Sequence, residues 1–499
     1  MYRRTEKQLE FADFKLPFSG KLSASNRWVR LSKLIPWHEF EDEYCANLSK
    51  RGQGPPAFSV RMALAALIIK ERLRLADEEC VEQIQENPYL QYFCGFKEFT
   101  AELPFHPTMF VHFRKRFPAD VINRVNEVIV QKAVEHSKKD DDDDPDKTGG
   151  SNEKLSNQGK LLMDATCAPA DINFPTDLKL LNTAREKSEQ IIDVLHKSRS
   201  KGQKKPRTYR NKARKFYLGV AKCKRVDHRR LRKAQRRQLG FLRRNLSSIE
   251  KLSKVVNLTV LGRKQYRDLL VISELYRQQQ LMYDRRSRRV DDRIVSISQP
   301  HIRPIKRGKA GSNTEFGAKV SVSMVGGYAF VDRTSWDNFN ECLDLQDQVK
   351  AYKRRFGVYP QSVHADRIYR TRDNRRYCKK HGIRLSGPRL GRPPKVTPEN
   401  VARLKAESEL ARQDERDRIP IEGKFGQGKR KYGIGRVMTK LASTSETAIA
   451  LCFLVMNLER WLAAIFLRLF FKERKSYLMT QWVLFVVPIA NKVATNGAV

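Results

Sequence analysis

Paired cysteines are what this sequence most plainly lacks. Its eight cysteines stand at 45, 80, 94, 167, 223, 342, 378 and 452 with no C-x-x-C among them. That excludes a zinc ribbon and a disulfide framework and suits a reducing cytoplasm. The nine histidines are equally dispersed, none at zinc-finger spacing from a cysteine. The first residues, MYRRTEKQLEF, contain no apolar segment of the signal-peptide kind, so secretion is not expected. Uninterrupted apolar runs are also scarce. Residues 447–471 (TAIALCFLVMNLERWLAAIFLRLFF) are long enough to span a bilayer but carry Asn457, Glu459, Arg460 and Arg468. A central charge costs roughly 2.5–3.5 kcal/mol on insertion scales. A helix packed on a protein core is expected instead, opened by a capping box of Ser443 and Glu446. The later YLMTQWVLFVVPIA is too short before Pro488 to span, and no membrane association is expected.

Acids are in short supply as well: 56 Asp and Glu face 98 Lys and Arg, a formal net charge of +42 and a pI near 10.1. An excess of this size implies a polyanionic partner, with nucleic acid ahead of an anionic lipid surface. A chain of 499 residues is expected to divide into about two to four structural units.

Residues 58–117 have helical apolar spacing. FSVRMALAALIIKERL leads, and NPYLQYFCGF and PTMFVHFRKRF follow behind Pro88 and Pro107, which suit helix starts. In the last of these, Arg114, Lys115 and Arg116 beside Phe110 and Phe113 form either a DNA-contacting face of helix-turn-helix type or a solvated amphipathic one. The run KKDDDDDPDKTGGSNE (138–153) reads as a self-repelling linker.

Beyond it, GKLLMDATCAP reads as a strand ending in Asp164. KVSVSMVGGYAFVDR alternates around Gly326-Gly327 as a β-hairpin, a helix over 338–356 ends at Gly357, and YPQSVHAD is a short strand ending in Asp366. A helix at 372–380 and a strand at 383–385 follow. Between Asp164 and the hairpin lies a long, mainly helical and intensely basic insertion. Residues 197–245 hold 21 Lys or Arg against one acid, Asp227, with Tyr209, Phe216, Tyr217 and Phe241 interleaved. A solvated helix face normally mixes signs, so this segment is expected to contact nucleic-acid phosphates, with Arg214, Lys215, Arg229 and Arg230 among the contacts. The loop SGPRLGRPPK (386–395) offers Arg392 as a weaker, minor-groove candidate.

IEGKFGQGKR (421–430) nearly spells a phosphate loop through Gly423, Gly428 and Lys429. Arg430 stands where that motif needs a magnesium-binding hydroxyl, however, and the preceding ERDRIPIE is charged rather than a buried strand. Nucleotide binding is therefore not expected, and Glu422 becomes the residue of interest. Two strand-end aspartates plus a third carboxylate, in so basic a chain, suit phosphodiester chemistry with two hard divalent cations held on a rigid sheet. The competing acids are Asp171, Asp332 and Asp373.

LLMDATCAP, VHADRIYRTRDN and RIPIEGKFGQGKRKYG resemble, in order, the three acidic motifs of DDE-type insertion-sequence transposases with a ribonuclease H-like catalytic domain. Residues 57–117 resemble the helical module that precedes it, so the likeness covers most of residues 57–460. Its sharpest element is Arg, three residues, Glu, six residues, Lys, met by Arg418, Glu422 and Lys429. Glu415 stands where the family commonly has a tyrosine. Pro420, Gly423, Gly426 and Gly428 predict against a continuous helix from Arg418 to Lys429.

The resemblance implies an α/β ribonuclease H-like core over 157–460, with the basic helical insertion at about 177–310. An all-α DNA-binding domain at 1–137, a linker at 138–156 and an apolar tail at 461–499 packing on the core complete the expected organisation. It further implies that Asp164, Asp366 and Glu422 are catalytic and bind two Mg²⁺ or Mn²⁺ ions, and that Arg418, Lys424, Lys429 and Arg430, with Arg114 and Lys115, contact DNA. Water would nick the element ends, and the freed 3′ hydroxyl would attack target DNA. The expected partners are the terminal inverted repeats, target DNA and a second copy of the chain in a synaptic complex. The alternatives are a catalytically inactive DNA-binding derivative and a ribonuclease H-like nuclease.

Overall fold

In the computed structural model, the described residues are 14–16, 20–48, 56–142, 157–199, 202–306, 314–387, 391, 394, 395 and 397–495, without the side chains of 137–142 and 469–495. The linker residues 143–156 and Arg392 lie outside them. The chain begins with helices α1 (Arg27–Leu34), α2 (Glu41–Ala46), α3 (Val60–Leu73), α4 (Asp77–Glu86), α5 (Pro88–Cys94), α6 (Met109–Arg116) and α7 (Ala119–Asp142). Local signals set their ends. The Ser59 hydroxyl accepts from the Met62 amide at 3.1 Å to open α3, Pro88 occupies the first turn of α5, and Gly95 ends that helix at φ 92°.

One mixed sheet follows. Its order is β2 (Arg303–Lys306), β3 (Thr314–Val325), β1 (Lys160–Pro169), β5 (Ser362–Ala365), β6 (Arg384–Leu385), with β4 (Tyr328–Ser335) also on β3. β1 is antiparallel to β3 and parallel to β5, and β3 turns into β4 through Gly326 and Gly327 at φ 56° and 84°. Two successive positive-φ residues make the tight hairpin turn that glycine permits. α8 (Asp177–Lys197), α9 (Arg210–Ala221), α10 (His228–Ser253) and α11 (Arg263–Asp284) lie between β1 and β2. α12 (Leu345–Phe356) and α13 (Arg372–Lys380) flank β5, and α14 (Val401–Lys431) and α15 (Ala442–Thr495) close the chain.

The core is shared rather than segmental. A single cluster joins Leu64, Leu67, Phe93, Phe113 and Val125 of the N-terminal helices to Leu162, Val320 and Val322 of the sheet and to Phe453 and Leu454 of α15. α8, α10 and α11 bury their own seam around Leu181, Leu242, Ile272 and Leu275.

Three local expectations are corrected. β1 does not end at Asp164: pairing with β5 stops at Met163, but pairing with β3 runs to Pro169. The capping box at α15 is not formed, because the helix starts at Ala442 and the Glu446 carboxylate accepts from the Trp336 indole at 2.7 Å. α14 is one helix through Pro420 and all three glycines.

Asn457, Glu459 and Arg460, which interrupt the apolar stretch of α15, each have a protein partner. Asn457 bridges to Ala329 O at 2.7 Å and to Asn126 at 2.8 Å, Glu459 pairs with Arg72, and Arg460 donates to Gly326 O at 2.8 Å. Residues Ala442–Arg468 are long and apolar enough to cross a membrane, yet 67% of an 18-residue window within them is buried.

Candidate active site

Register decides what the two aspartates do. Leu162 of β1 lies opposite His364 of β5 in a parallel pair, so the next residues on that face are Asp164 and Asp366. Leu162 belongs to the core on this face, while Leu161 and Met163 belong to the cluster on the other. Among the described residues, β1 has no strand on its β5 side beyond Met163. The chain leaves β1 in one direction and returns at β5 from the other, and such a switch at strand carboxyl ends is where open α/β sheets hold ligands.

α14 crosses the same face. Ile421 and Phe425 enter the core beside Leu162, and one turn from Ile421 the Arg418 Nη1 meets a Glu422 carboxylate oxygen at 2.8 Å. Burial of those apolar residues, together with the Arg418–Glu422 pair, overrides the helix-breaking sequence. Gly428 is where the helix passes close to its neighbours: a Cβ there would stand 2.7 Å from Ile434 Cδ1 and 3.3 Å from Met456 Sδ. The helix also removes the phosphate-loop reading, because no open loop remains for backbone N–H groups to cradle a phosphate.

Asp164 is buried enough for its carboxyl to be pushed up to about 6. The Ala165 amide and Arg418 oppose this, and the charges of Glu341 and Asp366 add to it. Asp366 is exposed and caps the following turn by accepting from the Arg367 amide at 2.7 Å. Glu422 is 52% exposed on its side chain and turns to Arg418. So the charges of Asp366 and Arg418 both reach Asp164, and Arg418 pairs with Glu422, while the three acids do not form one close cluster.

A cavity of about 480 Å³ opens beside them, lined by Thr166, Lys319, Glu341 and Asp366 among others, and not by Glu422. Sequence reasoning missed Glu341 and Tyr369. Glu341 follows β4 in a stretch without motif. Tyr369 is fully buried, and the charges of Glu341, Asp164, Asp344 and Asp366 act on its hydroxyl.

Among the described residues, His364, Asp414 and Asp417 form the one trio with ligand atoms all within 4.8 Å of one another. Its acids are already neutralised. Arg384 holds both Asp414 oxygens at 2.7 Å, and Lys160 holds Asp417 at 2.6 Å. Burial lowers the His364 imidazole, and it lies 3.5 Å from Asp414. The trio straps α14 to β1 and β5 one turn before Arg418. The competing acids are engaged elsewhere: Asp171 with Arg436 at 2.6 Å, Asp332 with Arg355 at 2.9 Å and Asp373 with Arg376 at 3.6 Å.

Two of the expected DNA-contacting residues are buried on the protein core. Arg114 is 6% exposed and ion-paired to Asp77 at 2.8 Å, so of the basic trio in α6 only Lys115 is exposed. Lys424 is buried, its ammonium lowered to about 8 by burial and by Arg460 and directed at Gly327 O. Both residues sit on core-facing positions that a charge count along the sequence does not distinguish. Arg430 is exposed, Lys429 half-buried.

In the insertion, Arg214, Lys215, Arg229 and Arg230 are all exposed, and no described carboxylate pairs with them. Arg237 and Arg244 lie over Phe216 and Tyr209 at 4.1 and 5.0 Å. Guanidinium–aromatic stacks of this kind hold cations outward without a carboxylate partner.

Two family models match the chain. Residues 363–459 match the "Transposase DDE domain" and residues 17–116 the "Transposase domain (DUF772)". A curated relative from Rhizobium meliloti, "Uncharacterized protein ORF8 in nfe locus", is 31% identical over 153 residues. That stretch is 30% of this chain and 66% of the relative, just under two thirds of its length. No solved structure matches.

Proposed function

We propose that this chain, whose residues 363–459 and 17–116 are similar to transposase domains, is a transposase that binds the ends of an insertion element and catalyses metal-dependent strand cleavage and strand transfer there. The observation that carries this reading is the parallel register that leads Asp164 and Asp366 out on the face crossed by Arg418 and Glu422. The sheet is a ribonuclease H-like core in this reading, α1–α7 an all-α DNA-binding domain and α8–α11 a basic insertion that grips DNA phosphates.

Asp164, Asp366 and Glu422 would hold divalent cations, two Mg²⁺ or Mn²⁺ ions. The surroundings fit: burial, with the charges of Glu341 and Asp366, raises the proton affinity of Asp164, and the buried hydroxyls of Thr166 and Tyr369 have no hydrogen-bond partner. Bound cations supply charge neutralisation at the scissile phosphate and at the attacking and leaving oxygens. Asp164, held by the Ala165 amide at 2.8 Å, keeps a fixed orientation toward the phosphate. Asp366 enters from the adjoining strand end. Arg418 holds Glu422 in the free protein and, on release, becomes a phosphate ligand. The exposed cations of α9 and α10 fix the duplex without reading its sequence.

The protein acts in this reading in a bacterial cytoplasm, as a homodimer that synapses two element ends. The test is a plasmid bearing the gene's own flanks, incubated with Mg²⁺ or Mn²⁺ and with wild type, Asp366→Asn or Glu422→Gln. Cleavage at the flank ends that is lost in both variants while DNA binding persists is the expected result. Binding without cleavage in any metal refutes the enzyme, and cleavage surviving Glu422→Gln removes Glu422 from the site.

A further inference from the structure

We propose that Glu341 is a fourth carboxylate of this centre, a ligand for a divalent cation shared with Asp366. This rests on the metal-dependent reading above and extends it to a residue outside the three acidic motifs. Glu341 lines the same cavity as Asp366, at the end of β1 where β5 has stopped.

Its position is fixed from two sides. The buried Asn374 amide donates to Cys342 O at 2.8 Å and to Tyr369 O at 2.9 Å, tying the turn that carries Glu341 to the turn that Asp366 caps. Lys319 holds the Glu341 carboxylate at 2.8 Å and also donates to Phe339 O at 2.7 Å.

An independent observation points to a ligand. The Tyr369 hydroxyl is fully buried and has no hydrogen-bond partner, and the acidic charges acting on it are Glu341, Asp164, Asp344 and Asp366. Thr166, 2% exposed on the cavity wall, has an equally unpartnered hydroxyl. Buried hydroxyls of this kind are nearly always satisfied, commonly by ordered water, and hydroxyls beside several carboxylates suit the water shell of a hard cation. Glu341 and Asp366 line the same cavity as Thr166, so a cation held there by Asp366 meets the Glu341 carboxylate as well. Lys319 acts as its stand-in counter-charge in the free protein.

The experiment is calorimetric titration of Mn²⁺ into the full chain without DNA, comparing wild type, Asp366→Asn, Glu341→Gln and Glu341→Asp. Loss of about tenfold or more in affinity is expected for Glu341→Gln, on the scale that ligand-shell substitutions produce. Glu341→Asp keeps the charge and the fold but withdraws the carboxylate by one methylene, and a loss is expected there too. Wild-type affinity in Glu341→Asp, or in a folded Glu341→Gln, overturns the assignment while leaving the three-acid reading intact if Asp366→Asn is weakened. Absence of Mn²⁺ binding by wild type, or indifference to Asp366→Asn, defeats the metal-dependent reading itself.

Discussion

Asp164→Asn is expected to stabilise the metal-free protein, and only above a definite pH. The Asp164 carboxyl is raised from 3.8 to about 6, first by burial and then by the charges of Glu341 and Asp366. A group whose native pKa is raised contributes fully at pH below the unfolded value and loses that contribution as pH climbs through the native one. Wild type therefore carries a penalty that is absent below about pH 4 and complete above about pH 6. At about 1.4 kcal/mol per pKa unit, it approaches 3 kcal/mol as an order of magnitude. Asparagine removes the ionisation and keeps an oxygen for the Ala165 amide, which Asp164 holds at 2.8 Å. In thermal melts with chelator present, the variant should gain roughly 3–6 °C at pH 7–8 for a cooperative unit of this size, converging on wild type near pH 4. A variant that shows no gain, or the same gain at every pH from 4 to 8, refutes the crowded-carboxylate picture.

Exposed cations on α9 and α10 should make DNA binding steeply salt-dependent. Replacing Arg214, Lys215, Arg229 and Arg230 together by glutamine should weaken binding alike on any sequence and reduce the log–log salt slope by up to about 3–4, read by fluorescence anisotropy. Pro420 is exposed within α14, so Pro420→Ala should raise stability by up to about 3 kcal/mol, measured by urea unfolding. Gly317 is different: a Cβ there would collide with the Ala168 carbonyl and lie 2.7 Å from Pro169 Cα. Gly317→Ala should therefore separate β1 from β3 and cost on the order of 1–3 kcal/mol, visible as a lowered melting temperature.

Much of the sheet was legible because its signals are local. The period-two run around Gly326-Gly327, the glycine stop at Gly357 and the short strand before Asp366 all appear as read, since turns and strand ends depend on a few adjacent residues. Helix α14 was not legible: Pro420 and three glycines argue against it locally, and the burial of Ile421 and Phe425 on the sheet outweighs them. The roles of Arg114 and Lys424 were equally invisible, because one-dimensional charge does not say which cation finds Asp77 or faces a buried carbonyl.

The sequence by itself determined the chemistry available: a large cationic excess, three ordered acidic motifs, and neither cysteine pairs nor an uninterrupted apolar span. Only the tertiary structure decided which groups meet. Parallel pairing up to Met163 and Ala365 led Asp164 and Asp366 out on one face, packing carried a long helix across that face, and chain return brought Glu341 to the recess that Asp366 lines. Residue types are set locally along the chain, whereas these encounters join segments far apart in sequence, and their geometry follows from burying one shared core.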